Sequence, residues 1–314
     1  MNKYPLVDVI IPTFNRPHFL EKALKSVFNQ SYPNIHVTIV DDGSSSDRNY
    51  DVVKNFPGAS YLYQPNQGPG FARNRGINVT KGEFLQFLDD DDTLFPNAIS
   101  LKVDYLLQHS EYGAVYTDLI ISHGTITRRL YEYHSKPMPA GDIFQELISR
   151  NFIPIHSILW RRRIIEMVDG FVGLYGHEDW GCNIKAADRT KFGYLDTPTG
   201  IYFLHNAGLT KDFHSMFRGK LAIHDLVVNS DHFKDFPPVQ KSLLLTKFSI
   251  REYAFGEGEE GKRYILEARK NNPKSIAIIF FQTILPIGKW LIRPALKLNW
   301  IISMLLRNNS KLLR

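Results

Sequence analysis

One cysteine, Cys182, stands in 314 residues. That excludes an internal disulfide framework and a zinc site built on several thiolates, and it fits a reducing compartment. No cationic-then-apolar leader opens the chain: Met1–Val7 is short and polar, and Asp8 follows at once. A signal peptide is therefore not expected, and the sequons at Asn29, Asn78 and Asn308 are expected to stay unmodified. Membrane-length apolar runs are missing too. Ser275–Gly288 is fourteen residues without a charge, short of the roughly 20 needed to span a bilayer. Neither internal repeats nor low-complexity tracts occur.

Acid is absent from one region only. From Pro273 to the end there are seven basic residues, Lys274, Lys289, Arg293, Lys297, Arg307, Lys311 and Arg314, and no Asp or Glu. The first 272 residues carry 31 basic groups against 32 acidic ones, so the overall +6 belongs to the tail. A nucleic-acid-binding body would carry its positive charge on the folded face, and no nucleic-acid partner is expected. Lys289, Arg293 and Lys297 recur every fourth residue, with Leu291, Ile292 and Trp300 elsewhere on the helix. Such a segment is expected to lie in a membrane interface, drawn by anionic lipid; the plainer alternative is a helix packed on the body or a second subunit. Hydrophobic residues are 43% and charged residues 22% of the chain, proportions that support a sizeable globular core.

The first half alternates strand-like and helix-like segments. Val7–Ile11, Val37–Val40, Tyr61–Tyr63 and Glu83–Leu88 read as strands. Phe19, Leu20, Ala23, Leu24, Val27 and Phe28 recur at helical spacing, Phe71–Val79 reads as a short helix, and another runs from Pro96 through Leu107. Strands separated by helices predict βαβ units and a mostly parallel sheet, whose ligands bind beyond the carboxyl ends of the strands. Thr13–Arg16, Asp41–Ser46 and Asp89–Asp92 each follow a predicted strand, so all three are expected on one edge. Further on, Ala114–Ile121, Ser157–Trp160 and Gly200–Phe203 read as strands, and 214–272 as helical.

Four consecutive aspartates, Asp89–Asp92, raise one another's pKa unless a cation neutralises them. Hard divalent cations take such oxygens, often together with substrate phosphates; the bland alternative is a solvated loop capping the next helix. Asp41-Asp42-Gly43-Ser44 is a turn whose aspartates bond the backbone, or else a carboxylate pair accepting from a nucleobase or ribose. In His177-Glu178-Asp179-Trp180, Glu178 or Asp179 caps a helix, or a carboxylate acts as general base beside an aromatic that stacks on a sugar. His205 is equally a structural histidine or a metal ligand. Gly256-Glu257-Gly258-Glu259-Glu260-Gly261 matches a literal dinucleotide fingerprint, but it follows no clear strand and its glutamates would repel a pyrophosphate. Arg161-Arg162-Arg163 is expected to be a solvated run opening a helix, not a phosphate grip.

Taken together, five segments resemble the family-2 inverting glycosyltransferases of the GT-A fold. They are Val9-Ile10-Ile11-Pro12-Thr13-Phe14-Asn15-Arg16, Val40-Asp41-Asp42-Gly43-Ser44, Asn66-Gln67-Gly68 with Ala72-Arg73-Asn74-Arg75-Gly76, Phe87-Leu88-Asp89-Asp90-Asp91-Asp92, and Glu178-Asp179-Trp180. The likeness runs from about Val7 to Thr210. It implies an α/β fold, a Rossmann-like mixed sheet flanked by helices, with a helical C-terminal extension. It further implies that Pro12, Thr13 and Phe14 line a nucleoside pocket, that Asp42 bonds the base, and that Asp90 reaches the ribose or donor sugar. Arg73, Glu178 and Trp180 join the substrate site, Asp89 and Asp91 hold Mn²⁺ or Mg²⁺ in an Asp-x-Asp arrangement, and Asp179 is the catalytic base. His205 matches the region where some members supply a further metal ligand. The chain departs from the family pattern after Trp180, where Gly181-Cys182-Asn183 stands in place of further acceptor-side acids.

The expected organisation is a nucleotide-sugar-binding catalytic domain over 1–212, a helical extension over 213–272, and a basic amphipathic tail over 273–314. The expected activity is transfer from a nucleotide-diphospho-sugar, UDP-linked, to a hydroxyl of a glycan or lipid-linked acceptor in cell-surface polysaccharide synthesis. A cytoplasmic site, peripheral on the inner membrane face, would suit it. The rivals are a sugar-1-phosphate nucleotidyltransferase and a non-catalytic nucleotide-sugar-binding partner in a membrane assembly. The first would want a Gly-rich, cationic loop straight after the first strand, where Pro12-Thr13-Phe14-Asn15-Arg16 stands instead.

Overall fold

The computed structural model describes residues 4–132, 137–171, 173, 176–204, 213–255 and 257–287. The chain divides into two compact units, Met1–Lys220 and Leu221–Arg314.

The first unit is built on a nine-stranded mixed sheet. Its strands are β1 (Val7–Thr13), β2 (Ile35–Asp41), β3 (Ala59–Tyr63), β4 (Phe84–Phe87), β5 (Thr93–Leu94), β6 (Tyr112–His123), β7 (Ile126–Arg129), β8 (Ile158–Arg161) and β9 (Lys191–Phe203). Their order is β3-β2-β1-β4-β8-β6-β9-β5, with β7 paired to β6. β3, β2, β1 and β4 run parallel; β8 enters antiparallel between β4 and β6. The helices are α1 (Pro17–Phe28), α2 (Arg48–Val53), α3 (Pro69–Val79), α4 (Ala98–Gln108), α5 (Phe144–Ser149), α6 (Arg162–Met167), α7 (Glu178–Ala187) and α8 (Phe213–Val228), which crosses the boundary between units.

β1 is buried along all seven residues, as a central strand covered on both faces should be. Val7, Val9 and Ile11 point to one face, where Leu20, Leu24 and Val27 of α1 and Ile99 and Val103 of α4 complete a core. Ile10 points to the other face, against Gly76 of α3. A Cβ on Gly76 would stand 2.5 Å from Ile10 Cγ2, so this close approach needs glycine. Register then sets the functional edge: Thr13 pairs with Asp41, Asp41 with Tyr63, and Ile10 with Phe87. The turns after β1, β2 and β4 therefore leave the sheet side by side.

The structure differs from the sequence expectation at particular places. β9 begins at Lys191, nine residues before the predicted strand. Gly193, Asp196 and Pro198 weaken its local signal, and pairing with β6 overrides it through register shifts around Asp118. The Arg161–Arg163 run is not a solvated face, since only Arg163 is exposed. Arg161 donates to the carbonyls of Tyr112 and Leu106, at 3.0 and 2.5 Å. Arg162 pairs at 2.7 Å with the buried Asp8 and donates to the carbonyls of Gly82 and Ile77. Two of the three arginines are thus spent on backbone carbonyls of neighbouring segments and on a buried aspartate of β1.

In the second unit follow α9 (Asp231–Asp235), α10 (Pro238–Phe255), α11 (Gly258–Asn271) and α12 (Ile276–Ile287). Leu245, Phe248, Tyr264 and Ile265 are buried there. His224 Nδ1 lies 2.7 Å from Glu252, and its ring stacks on Phe248 at 4.0 Å between centroids. The literal fingerprint near Gly258 follows a helix, α10, so no strand-to-helix phosphate turn exists there. No helix among the described residues is long and apolar enough to cross a membrane.

Candidate active site

The turns after β1 and β2 hold each other. Asn15 adopts a left-handed conformation at φ 55°. Its N–H donates to Ser44 Oγ at 2.7 Å, and its Oδ1 accepts from the Ser45 N–H at 2.9 Å. Gly43, at φ +90°, lies against the 66 backbone, where a Cβ would come 2.6 Å from Asn66 N. The two aspartates of this turn divide their work. Asp41 is fully buried and accepts from Ser44 N–H, Asn49 Nδ2 and the Tyr61 hydroxyl, the backbone-bonding turn role. Asp42 accepts from Gln64 Nε2 at 2.8 Å, Gln67 N–H at 3.0 Å and Gly68 N–H at 2.7 Å. A carboxylate offers about four acceptor positions, so Asp42 fixes the loop before α3 and keeps room for one further donor.

Along the acidic turn, burial alternates: Asp89 and Asp91 are half-buried, Asp90 and Asp92 buried. Asp90 points inward, accepting from Thr13 Oγ1 at 2.7 Å and from Arg16 Nη1 at 3.2 Å. Burial, reinforced by Asp91, pushes its carboxyl up to about 7, with Arg16 and Thr13 pulling the other way. Asp91 Oδ2 meets the same Arg16 Nη1 at 2.7 Å. Asp92 accepts from the Phe203 N–H at 2.9 Å and lies 3.0 Å from Nδ1 of the buried His156. One carboxylate oxygen each from Asp89, Asp91 and Asp92 lie within 4.8 Å of one another. These are hard oxygen donors of the kind that suits Mg²⁺ or Mn²⁺.

Arg73 carries the site across to α7. Only 3% exposed, it donates from Nη2 to Asp89 at 2.5 Å and from Nη1 to Glu178 at 3.3 Å. Burial opposes its charge, and Asp89 and Glu178 more than offset that, so it stays protonated. Asp179, half-buried, follows at once in α7 and accepts from Asn151 Nδ2 at 3.2 Å and from the Trp180 N–H at 2.7 Å. Burial raises its carboxyl above the ordinary aspartate value, with Arg73 and Asn151 acting against the rise.

Of the residues predicted for the site, Thr13, Asp42, Asp89, Asp90, Asp91, Arg73, Glu178 and Asp179 thus stand in linked groups at this edge. Pro12 is buried beneath it, and Phe14 is 44% exposed above it. Trp180 corrects the sequence reading. It is 4% exposed and its indole N–H donates to the Leu147 carbonyl at 2.7 Å, so the ring packs inward and offers no face to a sugar. Arg73 likewise is bound on both sides by carboxylates, which makes it a brace. His205 lies outside the described residues.

The family model described as "Glycosyl transferase family 2" matches residues 8–168, a span that contains both aspartate turns. The chain belongs to that family. Among solved structures, this family-2 chain resembles S. aureus TarS 1–349 in complex with UDP-GlcNAc, at TM-score 0.67 and 17% identity over 94% of this chain and 92% of the other. It also resembles a Pyrobaculum calidifontis mannosyltransferase in complex with GDP-Man and Mn²⁺, at TM-score 0.56 and 15% identity over 94% and 83%. Likeness at that identity establishes the α/β fold. In sequence, a Campylobacter jejuni GalNAc(5)-diNAcBac-PP-undecaprenol beta-1,3-glucosyltransferase is 40% identical over 105 residues, 31% of this chain and 33% of the relative. The chain spans less than half the length of the curated relatives it matches.

Four residues at this edge had no role assigned from sequence. Arg16 was visible in the first motif, but its carboxylate partners lie 74 and 75 positions away. His156 and Asn151 sit in a stretch without a motif. Tyr202 is held neutral by burial and then by Asp92, Asp89, Asp179 and Asp91, which places its hydroxyl in the field of the same carboxylates.

Proposed function

We propose that this protein is an inverting, metal-dependent glycosyltransferase moving a sugar from a UDP-linked nucleotide-diphospho-sugar to a hydroxyl of a glycan or lipid-linked acceptor, in cell-surface polysaccharide synthesis. The observation that carries it is the convergence at one sheet edge of an oxygen-rich trio, Asp89, Asp91 and Asp92, with the Arg73 brace to Glu178 beside Asp179.

Each residue has a defined task in that reaction. Asp42 fixes the loop that receives the nucleoside and retains an acceptor position for a base N–H. Thr13 and Arg16 fix Asp90, the carboxylate assigned to the ribose or donor sugar, at the floor of the site. Asp89 and Asp91, with Asp92 beside them, would hold Mn²⁺ or Mg²⁺, which when bound neutralises charge on the departing diphosphate. The Asp179 carboxylate takes the proton of the acceptor hydroxyl as that oxygen bonds the anomeric carbon and the carbon–oxygen bond to the β-phosphate breaks. Attack opposite the leaving group inverts the configuration. Arg73 ties Asp89 on the diphosphate side to Glu178 beside the base and so fixes the separation of the two sides, a positioning effect.

Peripheral membrane association through the C-terminal part would suit a lipid-linked acceptor, and two features support that reading. On α12, Ile276, Ile279 and Phe280 are 83, 41 and 55% exposed on one helical face, and the stretch from 273 is cationic and free of acid. The test is a thermal-shift panel of UDP-, GDP-, CDP- and dTDP-sugars with and without Mn²⁺, followed by donor turnover. A ligand of the native state raises its melting temperature with occupancy. UDP-sugar shifts that need Mn²⁺, with Mn²⁺-dependent release of UDP, are expected. A binder without turnover would establish the non-catalytic rival.

A further inference from the structure

We infer that Arg16 is the resident counter-ion of the metal-binding aspartates: it holds Asp91 in the free enzyme, competes with the metal for it, and thereby couples metal binding to donor binding. The inference rests on the glycosyltransferase reading above and concerns how that site is loaded. Arg16 Nη1 lies 2.7 Å from Asp91 Oδ2 and 3.2 Å from Asp90 Oδ1. Asp91 Oδ2 therefore already has a cationic partner, although Asp91 belongs to the one group of acids among the described residues whose oxygens converge as a metal would require.

The placement is built into the backbone. Arg16 follows the left-handed Asn15, whose main chain and side chain are tied to Ser44 and Ser45. Arg16 is also the residue before α1, its carbonyl accepting from the Leu20 N–H at 3.0 Å. The side chain is thus aimed at Asp90 and Asp91 by a turn that does not depend on the guanidinium. The Arg16 side chain is 21% exposed and that of Asp91 17%, so the pair is shielded from water and its charges act more strongly than surface ones.

Two consequences follow. A guanidinium on Asp91 lowers the affinity of the free enzyme for a divalent cation, because two cations cannot share one carboxylate oxygen at close range without repulsion. Once displaced, the same planar cation is available to a diphosphate, the anion that arginine recognises well. Metal and nucleotide then bind cooperatively, each relieving what opposes the other. Arg73 does the corresponding work on Asp89, but its 4% side-chain exposure and its bond to Glu178 make it a fixed brace, whereas Arg16, at 21%, is the less enclosed of the two and the one a cation can displace.

The experiment measures Mn²⁺ affinity by the electron-paramagnetic-resonance signal of free Mn²⁺, with and without UDP, for the wild type, Arg16→Ala and Arg16→Lys. Arg16→Ala is expected to bind Mn²⁺ alone at least about tenfold more tightly, to bind UDP more weakly with Mn²⁺ present, and to lose most of the metal–nucleotide coupling. Arg16→Lys keeps the charge and is expected to stay near the wild type for Mn²⁺ alone. A merely structural role would leave Mn²⁺ binding unchanged or weaken it in the alanine variant, and that result overturns the inference while leaving the glycosyltransferase reading intact. Equal tightening in the lysine variant also overturns it, since charge would then not be the cause. A wild type that binds neither Mn²⁺ nor UDP overturns both.

Discussion

Arg73 Nη2 donates to Asp89 Oδ1 at 2.5 Å, so a helix that packs on the first strands reaches the acidic turn after β4. The same guanidinium meets Glu178 with its other nitrogen, and both arms are enclosed. Removing it strands two carboxylates in a shielded place. Breaking one side of a buried pair typically costs about 3–5 kcal/mol; Asp89 is partly solvated, which puts Arg73→Gln near about 3 kcal/mol. Thermal denaturation is expected to show a drop on the order of 10 °C, with Arg73→Lys recovering only part because an ammonium cannot bridge both partners in one plane.

Asp179→Asn removes the proton acceptor while keeping the shape. Loss of a general base costs about 10²–10⁴-fold in turnover, and binding of Mn²⁺ and UDP should hold at wild-type values by calorimetry. Wild-type transfer by this variant would end the assignment.

The pH profile offers a second handle on Asp179. Burial raises its pKa, and the Asn151 hydrogen bond opposes that rise by favouring the ionised form. Activity needs the carboxylate, so it falls as pH drops through the raised pKa. Asn151→Ala is therefore expected to move the acid limb of kcat/KM to higher pH. A limb that stays put, or moves down, contradicts it.

Asp42→Ala leaves the N–H groups of Gln67 and Gly68 without their acceptor. The loop before α3 should loosen, and UDP affinity by calorimetry should fall at least about tenfold, the worth of one to two lost hydrogen bonds. Unchanged affinity with an intact fold would remove Asp42 from the nucleotide site.

Lys102 is fully buried, its ammonium donating to Gln86 Oε1 at 2.5 Å, and burial lowers its pKa to about 7. The unfolded chain keeps the lysine proton up to about pH 10.4. Between those values the unfolded state binds more protons, so this residue makes stability rise with pH; below about pH 7 its burial cost is present in full. Chemical denaturation of wild type and Lys102→Met from pH 6 to 10 should show the wild type gaining on the variant by a few kcal/mol. Parallel curves would mean that Lys102 titrates normally.

Much of the site was legible because its signals are local. The apolar run of β1, the α1 stripe at Leu20, Ala23, Leu24 and Val27, and the acidic turns at strand ends are each contained within a few residues. Partner choice was not. Nothing near Trp180 marks it as facing the Leu147 carbonyl rather than a sugar, and the tie between Asp92 and His156 joins positions that no spacing rule connects. The first half of β9 was hidden for the same reason: its pairing with β6 supplies a stability that its own glycine, aspartate and proline residues do not advertise.

By itself the amino-acid order decided which side chains could do chemistry and that three acidic or polar turns would each follow a strand, since propensity and periodicity act over one or two turns of chain. Tertiary structure decided which of those side chains spend their charge on one another. Parallel register laid Thr13 beside Asp41 and carried Arg16 to Asp91 because hydrogen-bonded strands align residues by position in the sheet, not by distance along the chain.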